Sequence, residues 1–198
     1  YIAYEKKHIG IVKLLFSDQR VELIKANKHK NETPFFIACE IGNIKVVRLL
    51  LNDKKVDVNK VDNGGCTPFY IACYYGHIEI VKLLLFNNRV TDINKASEYG
   101  QTPLHITCSK AHVEIVKLLL KDQRVDINKP NKNNVTPFFI VCEKGYIEVV
   151  KLLLNYKRVS INKENTDKAT PFYIACEKGH IEIVKILLND KRVDINQS

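Results

Sequence analysis

The sequence contains no methionine at all. A chain without one cannot begin at its own start codon, so it reads as a processed or excised fragment. No apolar run approaches the ~20 residues that a bilayer-crossing helix requires, and no stretch has the form of a secretory leader. Signatures of catalysis are missing as well. There is no G-x-S-x-G, no P-loop, no H-E-x-x-H and no clustered Cys/His ligand set. The expectation is a chain that is not an enzyme, with no cofactor, no metal and no small-molecule substrate.

What is present describes an ordinary soluble protein: 198 residues, 45% hydrophobic and 27% charged, with a formal net charge of +9. A basic balance fits nucleic acid, an anionic membrane surface or a uniformly solvated exterior, and placement decides among them. The placement follows a period. Thr-Pro pairs open at Thr33, Thr67, Thr102, Thr136 and Thr170, with spacings of 34, 35, 34 and 34. A fixed period in this range marks a solenoid of stacked units. The opening "YIAYEKKHIGIVKLL" aligns with "YIACEKGHIEIVKIL" from Tyr173, so the first unit starts inside its first helix. One domain over 1–198 then comprises six units: 1–32, 33–66, 67–101, 102–135, 136–169 and 170–198. Thr91 is an extra residue in "RVTDINK", and "RVELIKAN" carries a similar insertion in the first unit.

Each unit has the same local logic. Thr at the N-cap and Pro at the first helical position make a strong helix start. The spacing predicts a helix over Pro68–Tyr75, stopped at Gly76, where a left-handed cap costs glycine little. A second helix is expected from about Ile78 to Phe86, apolar nearly all round, with Glu79 and Lys82 on one narrow solvent stripe. "RVDINK" and a polar stretch such as "VDNGG" then lead into a tight turn.

These residues resemble the ankyrin repeat. The family pattern is met best by "DNGGCTPFYIACYYGHIEIVKLLL", where Asp62, Gly65, Thr67, Pro68, Ala72, Gly76, His77 and Leu83–Leu85 fall in place. The resemblance implies an all-α solenoid of helix-turn-helix units with projecting β-hairpin or loop fingers. It also implies protein–protein recognition through the concave surface of fingers and first helices. Departures exist. The family's His after T-P-L stands only at His105, with Phe36, Tyr70, Phe139 or Tyr173 elsewhere. Lys7 and Ala111 occupy the glycine slot between helices, so those turns should be strained or rearranged.

Residues that look chemical obey the same period. "HIE" at His77 and His180, and "HVE" at His112, share the H-x-E of zinc deaminases but lack its P-C-x-x-C. Their slot also holds His8, Asn43 and Tyr146, so the role is structural. Cys39, Cys73, Cys108, Cys142 and Cys176 repeat six residues after each Thr. Successive copies should lie 8–10 Å apart, beyond the ~7 Å Cα limit of a disulfide, as small core residues of a reducing, cytoplasmic protein. Cys66, near the finger, is expected to be the one reactive thiol. The cations form ladders on several faces. One runs Lys13, Arg48, Lys82, Lys117, Lys151, Lys185, another Lys60, Lys95, Lys129, Lys163, and a third Arg20, Lys55, Arg89, Arg124, Arg158, Arg192. The third stands beside the end of the second helix, where cations complement the dipole. Such ladders read as solvation, and no basic stripe interleaved with aromatics supports nucleic acid or a membrane.

The reading is a monomeric interaction module or scaffold for an unknown protein partner. The alternatives are a structural spacer and a regulatory arm of a longer chain. Neither terminal unit carries the polar face that caps a solenoid, so the parent array is expected to continue both ways. The expected docking site is centred on Tyr74, Tyr75 and Tyr99, flanked by Glu143, Lys144, Glu177 and Lys178. Only the third unit places two tyrosines before the glycine slot, and stacking should bring Tyr99 near them.

Overall fold

The computed structural model describes residues 26–27 and 29–196, which divide between two compact units, 1–98 and 99–198. In the first unit, α1 (Pro34–Glu40) and α2 (Ile44–Leu51) form one helix pair, α3 (Pro68–Tyr74) and α4 (Ile78–Leu85) the next. The second unit holds three pairs: α5 (Pro103–Ser109) with α6 (Val113–Lys121), α7 (Pro137–Lys144) with α8 (Ile147–Leu154), and α9 (Pro171–Glu177) with α10 (Ile181–Leu188). Within each unit, first helices pack on first helices and second helices on second helices. All the regular structure among the described residues is helical.

Every first helix among the described residues starts the same way. The side chains of Thr33, Thr67, Thr102, Thr136 and Thr170 accept the amide N–H three residues on, with Pro following each Thr. The first helices of the interior pairs are buried almost all round, for example Phe69, Tyr70, Ala72 and Cys73 on α3. Second helices bury one side, as Ile80, Val81, Leu84 and Leu85 do on α4, and leave Glu79 and Lys82 outside as a 2.8 Å ion pair. The expected helix ends are each one residue long, because Tyr75 and Phe86 serve as C-caps. Gly76 takes the left-handed turn at φ 75°. Ala111 takes it too, at φ 53°, so the strain expected there is present. Lys7 lies outside the described residues.

The fingers adopt the loop form of the two geometries that the resemblance implied. Those that open at Asp62, Asn131 and Asn165 close on themselves through an Asx turn, such as Cys66 N–H to Asp62 Oδ1 at 2.7 Å. Successive fingers are joined by one backbone bond: Asn63 N to Lys30 O, Glu98 N to Gly64 O, Lys132 N to Tyr99 O, Thr166 N to Asn133 O. One bond per finger is too few for a β ladder.

Candidate partner-binding surface

Two of the aromatic residues singled out in the sequence, Tyr74 and Tyr75, are held in a defined way. In the first unit, Tyr74 ends α3, Tyr75 caps it, and the two rings meet edge to face with centroids 4.9 Å apart. Tyr75 also stacks on His77 at 6.1 Å, and its hydroxyl donates to Glu40 Oε1 at 3.4 Å. Burial, and then the Glu32 carboxylate, push the Glu40 carboxyl above its ordinary range. Tyr75 keeps 48% of its surface exposed. Tyr99 opens the second unit and is 67% exposed on its finger.

Also in the second unit, the last two fingers and helices α7 and α9 enclose an open groove of about 610 Å³. Phe139 and Ile174 form its buried floor, Tyr173 one wall, and Glu143, Asp167 and Glu177 line it. Two of the four residues expected as a charged rim, Glu143 and Glu177, therefore face one groove. Lys178 turns to Glu177 at 2.9 Å, and Lys144 is exposed to solvent. Tyr173 is a lining residue that the sequence reading passed over. Its slot is buried at Phe36, Tyr70, His105 and Phe139, so only the fold shows this copy half-exposed.

The histidine slot is structural, as its drift to Asn and Tyr implied. His77 Nε2 lies 2.8 Å from Glu40 O, and His180 Nε2 lies 2.8 Å from Glu143 O. Each ring therefore ties its turn to the end of the preceding first helix. A carbonyl can only accept, so Nε2 carries the proton. Room for the ring comes from the preceding glycine: a Cβ on Gly42 would stand 2.6 Å from His77, and one on Gly145 2.7 Å from His180. Where Ala111 replaces the glycine, Tyr146 replaces the histidine and reaches Ser109 O at 3.4 Å. No group of three or more His, Cys, Asp or Glu among the described residues could hold a metal ion.

The family model described as ankyrin repeats (3 copies) matches residues 1–97, 87–165 and 119–198. This chain belongs to the ankyrin repeat family. Ankyrin repeats generally serve as protein–protein interaction modules. A comparison with curated proteins finds no match.

Two ladders in this ankyrin chain do work that the sequence concealed. The arginines were expected to sit beside a helix end as dipole partners, but several reach back one repeat. Arg89 donates to Leu51 O at 2.7 Å, Asp53 O at 3.0 Å and Val56 O. Arg158 reaches Leu120 O and Arg192 reaches Leu154 O, at 3.1 and 2.8 Å. They thus satisfy carbonyls that the preceding second helix leaves open. Arg124 and Arg192 also clamp Asp122 and Asp190, whose carboxyls the guanidinium hydrogen bonds hold below the ordinary range. The asparagine of "IN" or "VN" bridges repeats with both ends of its amide. Asn128 donates to Arg158 O at 2.6 Å and accepts from Ser160 N at 2.7 Å. Asn59 and Asn162 repeat this pattern. A spacing of 30 and 32 residues on a polar side chain was the available signal.

The thiols need one correction. All six cysteines are free, and Cys39, Cys73, Cys108 and Cys142 are buried. Burial drives the Cys39, Cys108 and Cys142 thiols far above their ordinary range. Cys66, expected to be the reactive one, is half-buried, and burial followed by the Asp62 and Glu98 carboxylates pushes it up to about 12. Cys176, on α9, which packs on α7 and α10, is the exposed thiol.

Proposed function

We propose that this ankyrin domain binds a protein partner on the concave surface made by its fingers and first helices. Tyr74, Tyr75 and Tyr99 act as aromatic anchors, with Glu143, Lys144, Glu177 and Lys178 as a charged rim. The observation that carries the reading is the exposure of Tyr75 and Tyr99 at positions that most repeats fill with charged or small polar side chains. A tyrosine held by ring contacts, yet half in water, has little rotamer freedom left to lose and much apolar area to bury. A stacked-repeat scaffold further limits the ordering cost that opposes association.

The test is a photo-crosslinking residue placed at position 75 or 99, with position 151 on a second helix as control. Capture from 75 or 99, and not from 151, is expected. The triple change Tyr74→Ala, Tyr75→Ala, Tyr99→Ala should abolish capture while helical content stays unchanged. Undiminished capture by the triple variant would overturn the proposal.

A further inference from the structure

The groove between α7 and α9 has a charge opposite to that of the chain. Lys and Arg outnumber Asp and Glu by 31 to 22 in the whole sequence. Its charged lining nevertheless reads Glu143, Asp167 and Glu177 against Lys168 alone. Glu143 is the telling member. It is half-buried, and Lys178, the cation that acts on its carboxylate across space, is bonded to Glu177 instead. Glu177 is engaged by Lys178, but that pair is solvent-exposed on both sides and so is held weakly. Below the carboxylates, Phe139 and Ile174 offer a buried apolar floor and Tyr173 an open ring face.

Spacing restricts what fits. Glu143 and Glu177 occupy the same slot, seven residues after their Thr, on helices that pack directly together. Their backbones therefore stand roughly one helix-packing distance apart, about 8–10 Å, which sets the spacing at which the two carboxylates are offered. An extended β-strand presents same-face side chains every second residue, only about 6.6 Å apart. A polyproline II segment presents them every third residue, about 9.3 Å apart. We propose that this groove binds an extended basic segment of a partner protein, in polyproline II form, with Lys or Arg at positions i and i+3. One cation meets Glu143 and the next meets Glu177, displacing Lys178. The aliphatic stems lie along Tyr173 and the apolar floor, where the ring face also favours a cation. This rests on the partner-binding reading above and names the chemistry of the partner.

The experiment uses the 198-residue chain and three labelled octapeptides followed by fluorescence anisotropy at low ionic strength. The first is Pro-Pro-Arg-Pro-Pro-Arg-Pro-Pro. The second has the same composition with the arginines two residues apart, and the third has Glu in place of both Arg. The first should bind, the second about fivefold more weakly, and the third not measurably. Glu143→Gln should weaken the first peptide about fivefold and remove the difference between the first two. Glu148→Gln, on the second helix of the same repeat, should leave both unchanged. Equal binding of the first two peptides by the unaltered chain would overturn the proposal as unspecific charge attraction. So would failure of the first to bind. If the peptides fail while crosslinking from positions 75 and 99 persists, the groove assignment falls and the partner-binding reading stands. Loss of that crosslinking would instead remove the broader reading.

Discussion

The imidazole of His180 stands where a side chain on Gly145 would have to be: a Cβ there would lie 2.7 Å from the ring. Gly145 also turns at φ 77°, so two separate penalties meet at one position. Gly179 repeats the turn at φ 69° with nothing within 4 Å of the added atom. Gly179→Ala should therefore cost only the left-handed backbone term, about 1–2 kcal/mol. Gly145→Ala should cost clearly more, because the His180 ring must move and its bond to Glu143 O weakens. Equal losses in urea unfolding would show that the ring does not depend on the glycine.

Ala111 supplies the converse case. It holds a left-handed turn at φ 53° without being glycine, and the following slot carries Tyr146, not histidine. Ala111→Gly should relieve the strain and stabilise the domain, offset by the extra freedom of the unfolded chain, for a net gain of roughly 0.5–1 kcal/mol. A loss measured by chemical denaturation would mean that the methyl group itself packs.

His105 should give the fold a pH dependence of its own. Its Nδ1 accepts from the Thr102 backbone N–H at 3.1 Å, and its Nε2 donates to Val135 O at 3.0 Å. Burial holds the imidazole down at about 4, against the pull of the Val135 bond, while an ordinary imidazole titrates near 6.5. The unfolded chain therefore takes up this proton first as pH falls. The contribution is complete above about 6.5 and is lost progressively towards pH 4. Between pH 7 and 4.5 it should amount to about 2–3 kcal/mol. His105→Phe, which copies the Phe139 slot, should remove that part of the slope. A variant with the same slope as the parent would refute the assignment.

Thiol chemistry should separate the cysteines by burial. A maleimide added to the native chain should modify Cys176 first and Cys66 far more slowly, with the four buried thiols reacting only on unfolding. Mass spectrometry of digested protein reads the order. Early modification of Cys108 or Cys142 would contradict the packing of the first helices. A reducing agent should leave the melting temperature unchanged, since all six thiols are already free.

Much of this was already present along the chain. Local signals act over a few residues, so Thr-Pro, the glycine slot and the apolar second helix announced five helix pairs to within a residue at the two ends compared. Repetition at 34 residues announced a solenoid, and the Thr-Pro and Gly-His residues inside each unit carried the resemblance to the ankyrin repeat before any contact was known. The histidines could be set aside as structural because their slot drifts to Asn and Tyr. What escaped was everything that joins one repeat to another. The reach of Arg89 to Leu51 O, the two-ended amide of Asn128 and the ring of His180 over Gly145 span 30 to 38 residues. A periodic sequence writes such partners identically in every repeat and so hides which copy meets which. Exposure was equally beyond it. Cys142 and Cys176 share a slot, as do Phe139 and Tyr173, yet only the stacking of helices decides which member of each pair is covered and which faces water.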